Sequence, residues 1–231
     1  MKVIESHSFC QYCGFKSRLF THLTDEELVY INDFKDEIIY DKGEFIIRQG
    51  DPVKEFLYLK TGLVKLHFVG HNNRDRIISI ARPLDFVSLV STFSNAEYPQ
   101  SITALDKSVV CSINLEAIKT IIRQNGDFAL ELLEQVSKSS HFVLQSTYDI
   151  DEKNLRGRIA YILLWFSKKI YHKDTFELPI SRKEIGELIN MTTENVIRIL
   201  SEFRKDGILE ISGKSIEIKD HTFLERISKW G

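Results

Sequence analysis

The stretch from Asp127 to Asp151 contains neither proline nor glycine, and it constrains the fold more than any other feature of the chain. Such a stretch predicts one long helix. Seven of its positions follow one another at alternating spacings of four and three residues, the 3.5-residue repeat of a two-stranded coiled-coil seam. They are Ala129, Leu133, Val136, Ser140, Val143, Thr147 and Ile150.

A second apolar row on the same helix could pack against the rest of the chain: Phe128, Leu132 and Phe142. The simpler interpretation is that the helix docks on its own domain and does nothing more. Two apolar faces exceed what a single docking surface needs, however. We therefore expect a homodimer in which the seven-residue seam is the interface.

The region before this helix, from about residue 38 to residue 114, has the pattern of a β domain. Short β-branched and aromatic runs alternate with turns, and glycines stand at positions 43, 50, 62 and 70. Short strands broken at such spacings predict a sandwich or barrel. One helix, at about residues 25–35, is expected to precede it.

Composition narrows the class of protein. With 231 residues, 43% of them hydrophobic and 28% charged, the chain can form one large or two modest domains with a buried core. It has no apolar run of about 20 residues for a membrane span and no export signal at its start. Three cysteines, an odd number, suggest a reducing compartment, so we expect a cytoplasmic protein without a membrane partner.

Charge is divided unevenly along the chain, although the net charge is only −2. Residues 153–231 hold fifteen Lys and Arg against eleven Asp and Glu, whereas residues 1–152 are acidic. This difference mildly favours a polyanion as the partner of the C-terminal part. Since no paired carboxylates, nucleophile motif or phosphate loop is present, we expect no enzymatic activity.

The C-terminal part contains the signals of two short helices joined by a tight turn. Ser181 and Glu184 have the spacing of a capping box, which starts the first helix. Asn190 suits the left-handed conformation of a turn, Thr192 can cap the second helix, and Gly207 ends it. Two short alternating strands then flank residues 212–214. The sequence therefore predicts a helix-turn-helix followed by a β-hairpin wing.

Nearly the whole chain resembles the Crp/Fnr family of bacterial transcription regulators. The stretch ISRKEIGELINMTTENVIRILSEFRKDGILEISGKSIEIKD is similar to the winged helix of that family, and KGEFIIRQGDPVKEFLYLKTGLVKL is similar to its β-roll. The resemblance implies an α+β fold. Its parts would be an N-terminal segment and cyclic-nucleotide-binding-type β-roll (1–114), connecting and dimerisation helices (115–152) and a C-terminal winged helix-turn-helix (153–231).

The resemblance also implies double-stranded DNA and RNA polymerase as partners. Glu194 and Arg198 match the pair that family members point into the major groove, where a carboxylate accepts from cytosine and arginine donates twice to guanine. The alternative for residues four apart is an ordinary intrahelical ion pair. Thr193 and Ile197 share the same face and are also expected to read bases. The expected phosphate contacts, which set register, are Arg182, Thr192, Asn195 and Lys214.

The ligand pocket departs from the cyclic-AMP-binding members of the family. Ser88 and Leu89 stand where those members have Gly-Glu, and Gln100 and Ser101 stand where they have Arg-Ser. A cyclic phosphate would meet no cation there, and an unpaired buried charge is costly. We therefore expect the β-roll to respond to a signal other than cyclic AMP, or to be filled by its own side chains.

The cysteines resemble part of the iron–sulfur ligand set of Fnr-like oxygen sensors. Cys10, Cys13 and Cys111 match three ligands, but Leu19 takes the place of the fourth thiolate that such a cluster normally requires. His7, His22 or Asp25 would have to replace it. The alternatives are a thiol pair at Cys10 and Cys13, or no redox role at all, with Cys111 a small buried hydrophobe.

Three functions are consistent with the sequence. The first is a dimeric winged-helix regulator whose DNA affinity depends on a signal at the β-roll. The second is a redox or metal-sensing protein that uses Cys10, Cys13 and Cys111, with an iron–sulfur cluster as the candidate cofactor. The third is a ligand-binding module that no longer binds DNA.

Overall fold

A computed structural model of the chain describes residues 2–3, 10–14, 18–70, 75–87, 89–94 and 96–231. The chain forms two compact units, 1–143 and 144–231, which are described separately. The boundary falls inside the long helix. The sequence-based division at 114/115 and 152/153 stays a prediction.

Among the residues that the structure describes, two antiparallel sheets form the body of the first unit. One has the strand order β1-β2-β9-β4-β7 and the other the order β3-β8-β5-β6. The strands are β1 (Lys2–Val3), β2 (Lys35–Tyr40), β3 (Phe45–Ile47), β4 (Glu55–Thr61), β5 (Val64–Phe68), β6 (Arg76–Ala81), β7 (Phe86–Val87), β8 (Ser101–Ala104) and β9 (Ser108–Asn114). This arrangement confirms the predicted β-roll.

In the described part of the first unit, four α-helices accompany these sheets: α1 (Asp25–Asp33), α2 (Leu89–Thr92), α3 (Leu115–Gln124) and α4 (Gly126–Asp151), the last of which continues into the second unit. Short 3-10 helices cover Cys10–Tyr12 and Arg18–His22. The N-terminus of α1 is fixed by Thr24, whose hydroxyl accepts from the Glu27 backbone N–H while the Glu27 carboxylate accepts from that of Thr24. Both the predicted early helix and the predicted long helix are confirmed.

Alternate residues of β4 contribute to two separate cores, because successive side chains of a strand point to opposite faces. Leu57 and Leu59 pack with residues of both sheets. Phe56 and Tyr58 pack on the other side with α1, α3 and the first turns of α4, where Phe128 and Leu132 are buried. The start of α4 is thereby attached to the β-roll.

The second unit contains α5 (Leu155–Trp165), a π-helix (Phe166–Tyr171), α6 (Arg182–Ile189), α7 (Thr193–Lys205) and α8 (His221–Trp230). A three-stranded antiparallel sheet has the order β10-β12-β11, with β10 at Thr175–Glu177, β11 at Leu209–Ser212 and β12 at Ser215–Ile218. The predicted helix-turn-helix and wing are therefore present. Across the described residues, none of the helices has the length and hydropathy of a membrane span.

Candidate nucleic-acid interface

The turn between α6 and α7 is fixed by its own backbone and side chains. At the start of α6, Ser181 Oγ accepts from the Glu184 backbone N–H at 3.2 Å, and Glu184 Oε2 accepts from that of Ser181 at 2.8 Å. Asn190 ends the helix with φ +54°, in the left-handed region that asparagine tolerates. A Cβ on Gly186 would lie 2.5 Å from the Met191 carbonyl oxygen, so only glycine fits this close approach.

Helix α7 has one buried and one exposed face. The buried face packs Val196, Ile199, Leu200 and Phe203 into the core of the second unit, and this fixes the rotation of the helix. Glu194, Ile197 and Arg198 are exposed, and Thr193 is partly exposed. The four residues predicted to read bases are therefore all accessible on α7.

Arg198 does not form its ion pair with Glu194, the partner that the sequence suggested. Its Nη1 donates to Glu202 Oε1 at 2.6 Å, and its Nη2 donates to Asn195 Oδ1 at 3.2 Å. Hydrogen bonds from its own backbone N–H and from the Thr192 side chain lower the pKa of Glu194 below its usual value. Glu194 is therefore engaged with the N-terminus of α7, whereas Arg198 bonds to Asn195 and Glu202.

The residues predicted to touch phosphates have different local roles. Arg182 donates from Nη2 to the Gly213 carbonyl at 3.1 Å, which connects α6 to the tip of the wing, and burial lowers its pKa. Thr192 Oγ1 accepts from the Asn195 backbone N–H at 3.3 Å and so caps α7. Lys214 is exposed beside Gly213 at the wing tip. Phosphate contacts by these residues remain predictions.

Along α4, the exposed apolar residues only partly coincide with the predicted seam. In the first unit, Leu130 and Leu133 are 67% and 61% exposed, whereas the seam residue Val136 packs against the unit's own core. Phe142 was expected to dock on the β-roll but is 48% exposed, because the core contacts of α4 end near Val136. The remaining seam positions are intermediate (Ala129, Ser140 and Val143), exposed (Thr147) or buried (Ile150).

The positions equivalent to the cyclic-phosphate pocket are occupied by neutral, internally bonded side chains. Gln100 Nε2 donates to Ser91 Oγ at 2.9 Å, and Ser101 Oγ accepts from the Gln49 backbone N–H at 3.0 Å. Leu89 is buried at the start of α2, and Ser88 lies outside the described residues. None of the three described positions carries a charge that would compensate a phosphate.

Cys10 and Cys111 lie at the same core of the first unit, and Cys13 is partly exposed. Cys111 is buried on β9 between Glu37 and Tyr58 of the neighbouring strands, and Cys10 packs against the same core. Leu19, at the place of the missing ligand, is fully buried in that core. Within the described ranges, no group of three or more His, Cys, Asp or Glu side chains could hold a metal ion.

The two replacement ligands that the structure describes, His22 and Asp25, do not complete the set. His22 Nε2 lies 3.5 Å from Glu131 Oε2, the Asp25 carbonyl accepts from Gln11, and His7 is outside the described residues. Burial raises the pKa of the Cys111 thiol to about 12 and also raises that of Cys10. Because the thiolate is the nucleophile, a raised pKa makes the thiols of Cys10 and Cys111 less reactive than an ordinary cysteine.

Comparison with known proteins agrees with this architecture. Residues 37–125 match the cyclic nucleotide-binding domain, and residues 157–227 match the Crp-like helix-turn-helix domain. The chain belongs to the Crp/Fnr family of DNA-binding transcription regulators.

Two relatives illustrate the similarity in sequence. The transcriptional activator protein Anr of Pseudomonas aeruginosa is 28% identical over 197 residues, covering 81% of this chain and 80% of its own. The fumarate and nitrate reduction regulatory protein of Escherichia coli is 22% identical over 191 residues, covering 81% and 76%.

Two solved structures share the fold. FixK2 from Bradyrhizobium japonicum has a TM-score of 0.75 at 22% identity, covering 83% of this chain and 96% of its own. A CRP-family transcriptional regulator from Thermus thermophilus has a TM-score of 0.72 at 18% identity, covering 83% and 96%.

Sequence reasoning missed the carboxylate that holds Arg198. Glu202 stands four residues after Arg198, as Glu194 stands four before it, so the spacing alone offered both partners. The second partner of Glu202 is Arg156 on α5, 46 residues away in sequence. No local signal could have identified that contact.

Proposed function

We propose that this protein regulates transcription in the cytoplasm as a homodimer that reads an inverted-repeat operator with α7, the recognition helix. The observation that carries this proposal is the exposed face of α7. The opposite face of the helix is packed into the core of the second unit, so the following residues are presented to solvent: Thr193, Glu194, Ile197 and Arg198. Arginine can donate two hydrogen bonds to guanine O6 and N7, and a carboxylate can accept from cytosine N4.

A dimer sets the geometry of the operator. Two-fold related recognition helices fit half-sites whose centres lie about 10–10.5 base pairs apart, in successive major grooves on one face of the duplex. We propose that the dimer forms through the exposed apolar side of α4. RNA polymerase would then contact the DNA-bound protein, and a ligand or signal other than cyclic AMP would act at the β-roll.

Selection of binding sites from a random DNA pool tests the proposal. The wild type should enrich an inverted repeat with a guanine in each half-site for Arg198 and a G·C pair whose cytosine faces Glu194. Arg198→Ala should cost about 1–3 kcal/mol on the preferred site and remove the preference at one position. Lys214→Ala should weaken all sequences alike and reduce the salt slope by about one.

One outcome of this selection would contradict base reading by Arg198. If Arg198→Ala and wild type enrich the same motif with the same strength, Arg198 is only a partner in helix-surface ion pairs. If the wild type enriches no motif, the protein is the third candidate, a ligand-binding module without sequence-specific DNA binding.

We do not propose the redox or metal-sensing alternative. The described parts of the chain supply only Cys10, Cys13 and Cys111 as soft ligands, and a hydrophobic side chain fills the place of the fourth. Anaerobic purification followed by iron and sulfide analysis would reveal a cluster directly, and stoichiometric iron and sulfide would reverse this conclusion.

A further inference from the structure

Glu202 joins two arginines through its two carboxylate oxygens. Oε1 accepts from Arg198 Nη1 on the same helix at 2.6 Å, and Oε2 accepts from Arg156 Nη1 on α5 at 2.8 Å. Both oxygens of the carboxylate are therefore hydrogen-bonded, which restricts the conformation of the Glu202 side chain.

Arg156 is a fixed anchor for this carboxylate. Its guanidinium lies 4.7 Å from the ring centroid of Phe203, which is fully buried, and its Nη2 donates to Asp206 Oδ2 at 3.4 Å. A guanidinium that stacks on an aromatic ring and donates to two carboxylates has little rotational freedom left. The packed core of the second unit thus determines where Glu202 lies.

We propose that Glu202 is a positioning residue for DNA reading, which orders the Arg198 guanidinium before DNA is bound. This proposal rests on the proposed function. Arg198 donates one N–H to Glu202 and one to Asn195, and a guanidinium has five, so three remain for a base. An arginine that is already ordered loses less conformational freedom when it binds guanine, and the preference for guanine rises accordingly.

Glu202→Gln tests the role of the carboxylate, with Asp206→Asn as its matched control. Glutamine keeps the length of the side chain but replaces one acceptor oxygen with an NH2 donor, so the two arginines can no longer each bond an oxygen of their own. Asp206→Asn removes the same charge from the end of the same helix and also contacts Arg156, but it does not touch Arg198. Thermal unfolding verifies that both variants remain folded.

The measured quantity is the preference for guanine over the other bases at the position that Arg198 reads, from competition titrations on single-base operator variants. Glu202→Gln should lower that preference roughly two- to tenfold, the range that corresponds to ordering one long side chain. Asp206→Asn should leave it unchanged, because the asparagine side chain still offers Arg156 an acceptor oxygen. Both variants should bind random DNA somewhat more tightly, because each removes a negative charge that faces a polyanion.

A double-mutant cycle separates positioning from general electrostatics. In the Arg198→Ala background, Glu202→Gln should have no further effect on base preference, since the side chain that it positions is gone. An unchanged or increased guanine preference in the single Glu202→Gln variant would overturn the proposal, as would an equal loss in Asp206→Asn. A wild type without sequence preference would overturn the proposed function and this inference together, whereas a wild-type preference that Glu202→Gln leaves intact overturns only the role of Glu202.

Discussion

The exposed side of α4 can be tested as a dimer interface by introducing charge at Leu130 and Leu133. Both leucines are about two-thirds exposed in the first unit, so a partner helix could still cover most of their surface. Burying that remainder is worth about 1–2 kcal/mol for each leucine. By two-fold symmetry four leucines contribute, which amounts to roughly 4–8 kcal/mol of association free energy.

Leu130→Glu combined with Leu133→Glu should therefore raise the dimer dissociation constant by about a thousandfold or more, since every 1.4 kcal/mol is a factor of ten. Like charges facing each other across the interface add to this loss. Sedimentation equilibrium across nanomolar to micromolar concentrations measures the change. Lys138→Glu is a charge-matched control, because it alters the net charge by the same two units at an exposed site beside the row.

Val136→Glu distinguishes the exposed row from the seam predicted by sequence. Val136 packs against the core of its own unit, so glutamate there should lower the melting temperature by destabilising the fold, with a smaller effect on dimerisation. The reasoning is refuted if the double leucine variant remains dimeric at micromolar concentration while a folded Val136→Glu protein sediments as a monomer.

Two further predictions follow from the described geometry. Cyclic AMP at millimolar concentration should not shift the melting temperature, because Leu89, Gln100 and Ser101 offer it no counter-charge. A ligand at about 100 times its dissociation constant would add about 2.7 kcal/mol to the free energy of unfolding. A clear upward shift would therefore contradict this interpretation of the pocket. Gly186→Ala should destabilise the protein by about 1–3 kcal/mol in thermal unfolding, because its Cβ would meet the Met191 carbonyl oxygen at 2.5 Å. Gly126→Ala is the control: its Cβ would have no neighbouring atom within 4 Å, so this variant should be neutral or slightly stabilising.

The helix-turn-helix could be predicted from sequence because its signals are local. A capping box, an asparagine at a left-handed turn and a glycine after the second helix each act within a few residues of their own position. The structure contains all three: Ser181 with Glu184, Asn190, and Gly207 at φ +72°.

The face that α4 turns outward could not be predicted in the same way. A 3.5-residue repeat fits the row through Leu133 and Val136 as well as the row through Leu130 and Leu133, and the two differ by a small rotation of the helix. The choice between them is made by the β-roll, which buries Phe128 and Leu132 and packs against Val136. That contact joins residues distant in sequence, so it cannot be predicted from the periodicity of the helix alone.

The partner of Arg198 shows the same limit at the level of a single ion pair. On an isolated helix, a glutamate four residues before a basic residue is the better arrangement, which favours Glu194 over Glu202. Such pairs contribute only about 0.3–0.5 kcal/mol, so a single stronger contact reverses the choice. Two such contacts exist: Arg156 holds Glu202 in place from α5, and the N-terminal hydrogen bonds of α7 engage Glu194. Arg198 is thereby directed away from Glu194, and the two side chains expected to read bases are presented separately rather than neutralising each other.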